Sequence, residues 1–179
     1  MPVRRKPARE MPAEHALLGL LQQFDGSRHG YDLQRAFQPG SELGEVIRLE
    51  PGMLYHHLKK LERLGWVSSH QEQVDRRPAR SVYTLTPEGQ AELNQWMGEP
   101  VEHTREIRLT FLVKLFLARL IDPKRAAELI AEQIATLERL EQAQQEGPAT
   151  PGFSSDVRSL RSAQTRAALE WLRTLDPGA

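Results

Sequence analysis

The sequence predicts a mainly α-helical protein interrupted by one small β-hairpin. Three observations point there. Apolar residues recur every three to four positions through most of the chain, the spacing of helices with one buried face. Two strand-like runs, "WVSSHQEQV" and "RSVYTLT", flank the turn-like "DRRPA". Beyond "GEPVEHT" the helical segments become apolar around most of their circumference, which requires cover from several directions.

The elements follow in order. Residues 1–10 set Arg4, Arg5, Lys6 and Arg9 against Glu10 alone and read as a flexible basic arm, either a solubilising tail or a DNA-touching one. "AEHALLGLLQQF" places Leu17, Leu20, Leu21 and Phe24 at helical spacing, and the glycines of "DGSRHG" break that helix. "YDLQRAF" is a short second helix with Leu33 and Phe37 one turn apart, and "QPGSELGEVIRLE" reads as a loop. The third helix opens on Pro51, whose missing N–H costs nothing in a first turn, and stops at Gly65. After the hairpin, Thr86 caps a fourth helix with Pro87 at its first position and Leu93, Trp96 and Met97 on its buried stripe. Helix, helix, helix, hairpin, helix is the order of a winged helix-turn-helix, assigned to residues 11–98.

Residues 99–179 form a second, helical region. "REIRLTFLVKLFLARLI" carries Ile107, Phe111 and Leu115 among many apolar residues. Asp122 and Pro123 open a helix with Ala126, Ile130, Ile134 and Leu137 on its stripe. A last helix, from near Ser154 to Leu175, puts Val157, Leu160, Ala167, Trp171 and Leu172 on one broad face. So much apolar surface is expected to be buried partly against a second subunit, with Ile107, Phe111, Leu115, Ile130, Ile134, Leu160 and Trp171 as the dimerisation residues. The alternative is a self-contained bundle.

Composition sets limits on function. The 179 residues carry 24 basic and 24 acidic side chains and no cysteine. Disulfides, thiolate nucleophiles and cysteine metal sites are therefore excluded, and the balanced charge means that any nucleic-acid reading rests on charge placement. No apolar stretch follows the basic N-terminus, and Lys114 and Arg119 break the longest apolar run, so a cytoplasmic protein is expected. His56 and His57 are adjacent and diverge on a helix, while His103 and Glu106 lack a third partner. No metal site or cofactor is expected. Glycine-rich phosphate loops, GxSxG and HExxH are absent, so no catalytic residues are assigned and the protein is not expected to be an enzyme.

The third helix carries the functional signal. Leu54, Leu58 and Leu61 share one side, with His57 and Leu64 at its margin. Tyr55, His56, Lys59, Lys60 and Arg63 spread over the opposite half, with Glu62 toward the edge. Such a face either solvates an amphipathic helix or enters a DNA major groove, where cations meet phosphates. Arg76, Arg77 and Arg80 crowd the hairpin tip, as a wing along the DNA backbone or minor groove requires. A basic helix followed at once by a basic hairpin favours DNA.

"ALLGLL", "HGYDLQRAF", "PGMLYHHLKKLERLGWV" and "YTLTPEGQAEL" together resemble the PadR family of bacterial transcriptional regulators over about residues 14–98, and "REIRLTFLVKLFLARL" resembles the dimerisation segment of members with a longer, Vir-like C-terminal region. The resemblance implies a homodimer that binds inverted-repeat DNA, usually as a repressor, often released by a small molecule. It places Tyr31 near the DNA backbone, Tyr55 on the recognition helix, Lys59 and Lys60 at customary basic positions, and Arg77 and Arg80 at the wing tip. Met53 and His56 depart from the pattern, standing where a small hydroxyl residue and a proline are frequent. Trp96 and Trp171 are the candidates to border a pocket for a small apolar or aromatic effector. The competing function is a winged-helix module that binds a protein instead of DNA.

Overall fold

The computed structural model describes residues 12–23, 26–73, 80–146 and 152–176. The basic arm and the arginines Arg76 and Arg77 lie outside the described residues. The chain divides into two compact units between Leu93 and Asn94.

The first unit comprises α1 (Pro12–Gln23), β1 (Ser27–His29), α2 (Gly30–Arg35), α3 (Glu42–Val46), α4 (Pro51–Arg63), β2 (Val67–Glu72) and β3 (Arg80–Leu85), and α5 (Pro87–Gly98) begins in it. Its centre is α1, buried from Pro12 to Leu21 and packed on α4 and β3. Leu33, Phe37, Leu43, Leu54, Leu58, Leu61 and Leu93 complete the core. Burying each such side chain contributes about 1.5–3 kcal/mol, so the leucines of α4 fix which of its faces points outward. The third helix of the sequence reading is α4, with Pro51 in its first turn. Gly65 ends it at φ +74°, a conformation that side chains with a Cβ rarely adopt. The Thr86 hydroxyl accepts the Gly89 N–H at 3.1 Å and donates to the Gly65 carbonyl at 2.7 Å, tying the start of α5 to the turn after α4.

Two stretches differ from the sequence reading. "DGSRHG" contains β1, which pairs antiparallel with β3 so that Ser27 faces Thr84 and His29 faces Val82; the sheet order is β1-β3-β2. Three residues carry no period-2 signal, and β3 imposes the extended form from across the chain. The expected loop at 38–50 contains α3, five residues capped by Ser41, whose Oγ accepts the Gly44 N–H at 3.0 Å. One and a half turns are too short to show a helical repeat.

The second unit contains the end of α5, then α6 (Thr104–Glu106), a π-helical turn at Ile107–Phe111, α7 (Leu112–Ile121), α8 (Pro123–Glu146) and α9 (Phe153–Thr174). Helix α8 packs against α7 and α9. Two buried polar side chains fasten the segment after α5. Gln133 donates to the Val101 carbonyl at 2.9 Å and accepts the Val101 N–H at 2.8 Å. Lys114, 2% exposed, donates to the carbonyls of Trp96 and Glu99, with its ammonium 4.5 Å from the Trp96 ring centroid. Among the described residues no helix is long and apolar enough to cross a membrane.

The expected dimerisation set divides here. Ile107, Phe111, Leu115 and Ile130 are 8% exposed or less within the single chain, so a second subunit is not what covers them. The apolar count took buried core for open surface, because α8 and α9 already supply the cover. Ile134 and Trp171 are half-buried, the latter edge-on to Phe111 at 6.0 Å between centroids. Leu160 remains open at 59% exposed, and Phe153 at 81%. The expected single face of α9 is likewise corrected. Leu172 is buried with Leu169 and Thr165, whereas Leu160 and Ala167 are exposed. Thr165 satisfies its hydroxyl on the Arg161 carbonyl at 3.0 Å, which lets a polar residue enter a stripe that hydropathy alone passes over.

Candidate nucleic-acid interface

Helix α4 separates its residues sharply. Leu54, Leu58 and Leu61 are fully buried and His57 nearly so. Met53, Tyr55, His56, Lys59 and Arg63 are exposed. Leu64, placed at the margin of the leucine cluster, is also exposed. The open face thus offers one phenol, one imidazole, two cations and a thioether.

Beside the start of this face lies a cleft of about 430 Å³ lined by His29, Gly30, Tyr31, Tyr55, Arg80 and Ser81. The sheet assembles it, because the β1–β3 register brings the turn into α2 alongside the base of the wing. Gly30 is required by close approach: a Cβ there would stand 2.9 Å from Tyr55 Cε1 and 3.2 Å from the Tyr55 hydroxyl. The Tyr55 ring therefore rests against bare backbone. Tyr31 projects, 64% exposed. Phenol hydroxyls, a guanidinium and a serine hydroxyl line the cleft with no carboxylate among them, a donor set suited to an anionic oxygen such as a phosphate. The His29 Nε2 stands 3.4 Å from Glu72 Oε2, so its imidazole has a carboxylate beside it just outside the lining. Under the cleft, burial raises the Tyr83 phenol above its ordinary pKa of 10.0, the charges of Glu62 and Tyr55 add to the rise, and a hydrogen bond with Ser81 opposes it.

Of the DNA-contact residues inferred from sequence, Tyr31, Tyr55 and Arg80 meet at this cleft, and His56, Lys59 and Arg63 lie on the exposed face of α4. Lys60 is corrected. Its ammonium does not stand free on the open face but donates to Oε1 of the buried Glu14 on α1 at 2.6 Å, the same oxygen that lies 3.1 Å from His57 Nδ1. A lysine at the border of a helix face bends toward an uncompensated carboxylate, and spacing along α4 alone does not reveal a partner 46 positions away. His29, Gly30 and Ser81 were missed as lining residues. The first two stand directly before Tyr31 in "HGYDL", which was the available signal; Ser81 is signalled only by the strand register.

Residues 17–95 match the model of the transcriptional regulator PadR-like family. The "Negative transcriptional regulator PadR" of Bacillus subtilis is 28% identical over 123 residues, covering 68% of this chain and 64% of that protein. The "Probable transcriptional regulator Rv1176c" of Mycobacterium tuberculosis is 32% identical over 95 residues, covering 53% of this chain and 48% of that protein. The match thus spans less than two thirds of either relative's length. A crystal structure of Bacillus subtilis PadR in complex with operator DNA superposes with a TM-score of 0.50 at 21% identity, covering 93% of this chain and 97% of that one. The likeness shows the fold: a PadR-type winged helix, mostly helical with a small three-stranded antiparallel sheet.

Proposed function

We propose that this chain is a homodimeric, cytoplasmic transcriptional regulator that represses by binding inverted-repeat operator DNA through its PadR-like domain. The observation that carries the reading is the convergence of Tyr31, Tyr55 and Arg80, from three separate elements, on one carboxylate-free cleft beside the open face of α4. In this reading α4 enters the major groove. Met53 and His56 face base edges, Lys59 and Arg63 meet phosphates on the groove walls, and the cleft seats a backbone phosphate. Arg80 extends the contact along the duplex, and Arg76 and Arg77, outside the described residues, are proposed from sequence to add to it.

Dimerisation is supported by Phe153, Val157, Leu160, Ala167 and Trp171, which keep the four- and three-residue spacing of an apolar helix–helix seam except at the polar Gln164 and include the two most exposed large apolar residues of α9. Joining two domains turns the second half-site contact into an intramolecular one and multiplies affinity. Repression is supported by the likeness to the negative transcriptional regulator of Bacillus subtilis. Release by a small apolar or aromatic effector rests on family resemblance. Trp96 is buried beneath the Lys114 ammonium and Trp171 packs on Phe111, so both indoles serve the chain's own packing.

Selecting bound fragments from the source genome tests the proposal. The expected outcome is a recurring inverted repeat whose half-sites repeat at about one helical turn, 10–10.5 base pairs, or a multiple of it. Arg80→Ala is expected to weaken capture of every fragment. Capture of random sequence alone, or of no DNA, overturns the reading and favours a protein partner for the same face.

A further inference from the structure

Glu14 is a carboxylate on the first buried turn of the central helix, 3% exposed, and one of its oxygens takes both His57 Nδ1 and the Lys60 ammonium. His57 is 4% exposed, whereas the Lys60 side chain is 39% exposed and reaches inward from the edge of the DNA-facing side of α4. His57 faces Glu14 from α1 and the edge-on ring of His56 at 5.9 Å on its own helix, and Lys60 of that helix reaches the same Glu14 oxygen. Charge counting separates two states. With a neutral imidazole, the buried carboxylate has one cation to balance it, Lys60, and the ammonium is held back from the open face. With His57 protonated, the carboxylate is balanced from inside the core, and the cluster holds one positive charge more than it needs. Lys60 is the only one of the three with solvent beside it, so it is the group that can leave.

We propose that Glu14 and His57 hold Lys60 in reserve, and that protonation of His57 releases the Lys60 ammonium to a DNA phosphate. Glu14 and His57 act here as positioning residues, touching no DNA themselves. The inference rests on the DNA-binding reading above and adds proton-linked control to the same face. Histidine is the side chain whose charge ordinarily changes between about pH 5 and 8, which sets the range of the test, and affinity is expected to rise as pH falls. The gain is one ionic contact per subunit. Each phosphate neutralised contributes about 0.9 to the slope of log affinity against log salt concentration.

The test compares the full-length chain with Lys60→Gln on a duplex carrying the selected operator, titrated over salt at about pH 8 and at about pH 5.5. The contribution of Lys60 is the slope difference between the two proteins, so charge changes at His29, His56 and the other histidines cancel. The expected difference is close to zero at the higher pH and about 0.9 per subunit at the lower. Glu14→Gln, which removes the charge that holds the lysine, is expected to give the steeper slope at both values, and His57→Gln the shallower slope at both. Thermal melts confirm that each variant is folded. If Lys60→Gln does not fold, the same expectation is read from Glu14→Gln and His57→Gln alone. A Lys60 contribution that is equal at both pH values overturns the reserve. Absence of salt-dependent DNA binding by the parent chain overturns the DNA-binding reading itself.

Discussion

Replacing Gly30 by alanine isolates the cleft from the rest of the fold. The added Cβ would lie 2.9 Å from Tyr55 Cε1 and 3.2 Å from Tyr83 Cε2. Carbon atoms rest about 3.5–4.0 Å apart, so the Tyr55 ring must retreat by about 0.6–1 Å. Tyr55 is 40% exposed and can swing outward, whereas Tyr83 is 6% exposed and can give only by a few tenths of an ångström. The larger overlap is therefore relieved by the exposed phenol, and the smaller one is left to the core. Gly30 is the first residue of α2, where the helix-interior advantage of alanine over glycine is only partly gained, and the net change in stability is expected to stay within about 1 kcal/mol. Binding responds differently. A displaced hydroxyl loses one hydrogen bond to a charged oxygen, about 1.5–3 kcal/mol, which weakens operator affinity by about 10- to 150-fold. The assay pairs denaturant unfolding with operator titration for Gly30→Ala, Tyr55→Phe and the double variant. Both changes act on one hydroxyl, so the double variant should bind no worse than the weaker single one. A folded Gly30→Ala protein that binds operator as tightly as the parent would refute this account of the cleft.

Gln133→Leu removes both hydrogen bonds to Val101 and leaves a buried N–H and C=O unpaired, at about 1–3 kcal/mol each; a clear drop in the urea midpoint is expected, and an unchanged midpoint contradicts the fastening role. Leu160→Glu, on an exposed site, should shift sedimentation from twice the chain mass to the chain mass without loss of helicity, and a persistent dimer would remove α9 from the interface. The Tyr83 phenol has a raised pKa, so its neutral form is favoured in the folded state; that contribution is complete below about pH 10 and is lost as pH rises through the folded value. Tyr83→Phe should flatten the alkaline loss of stability, and a loss of equal steepness in both proteins would assign it elsewhere.

Some parts of this molecule were legible in sequence because the signal is local. The leucines of α4 repeat at 3.6-residue spacing and are bounded by Pro51 and Gly65, and the structure buries all three of them. Thr86 and Pro87 likewise mark a helix start through chemistry confined to one turn. What escaped is non-local. β1 exists because β3 pairs with it from more than fifty positions away, and the cleft residues His29 and Ser81 are neighbours only through that register. Lys60 looked like part of an open basic face because periodicity assigns direction but not partners, and Glu14 lies on a different helix. On α9 the apolar residues occur on two sides, and only packing against α8 decides which side is core.

The central claim, that the open face of α4 and the adjoining cleft exist to hold DNA, is tested most directly by the salt dependence of operator binding. Lys59, Arg63 and Arg80 are exposed, and the proposed dimer would present about six such cations. At about 0.9 per neutralised phosphate, log affinity should fall with log salt at a slope of about −5, and Arg63→Ala should reduce that slope by about one unit per subunit. A slope near zero, or no measurable affinity for duplex DNA at low salt, would contradict the account.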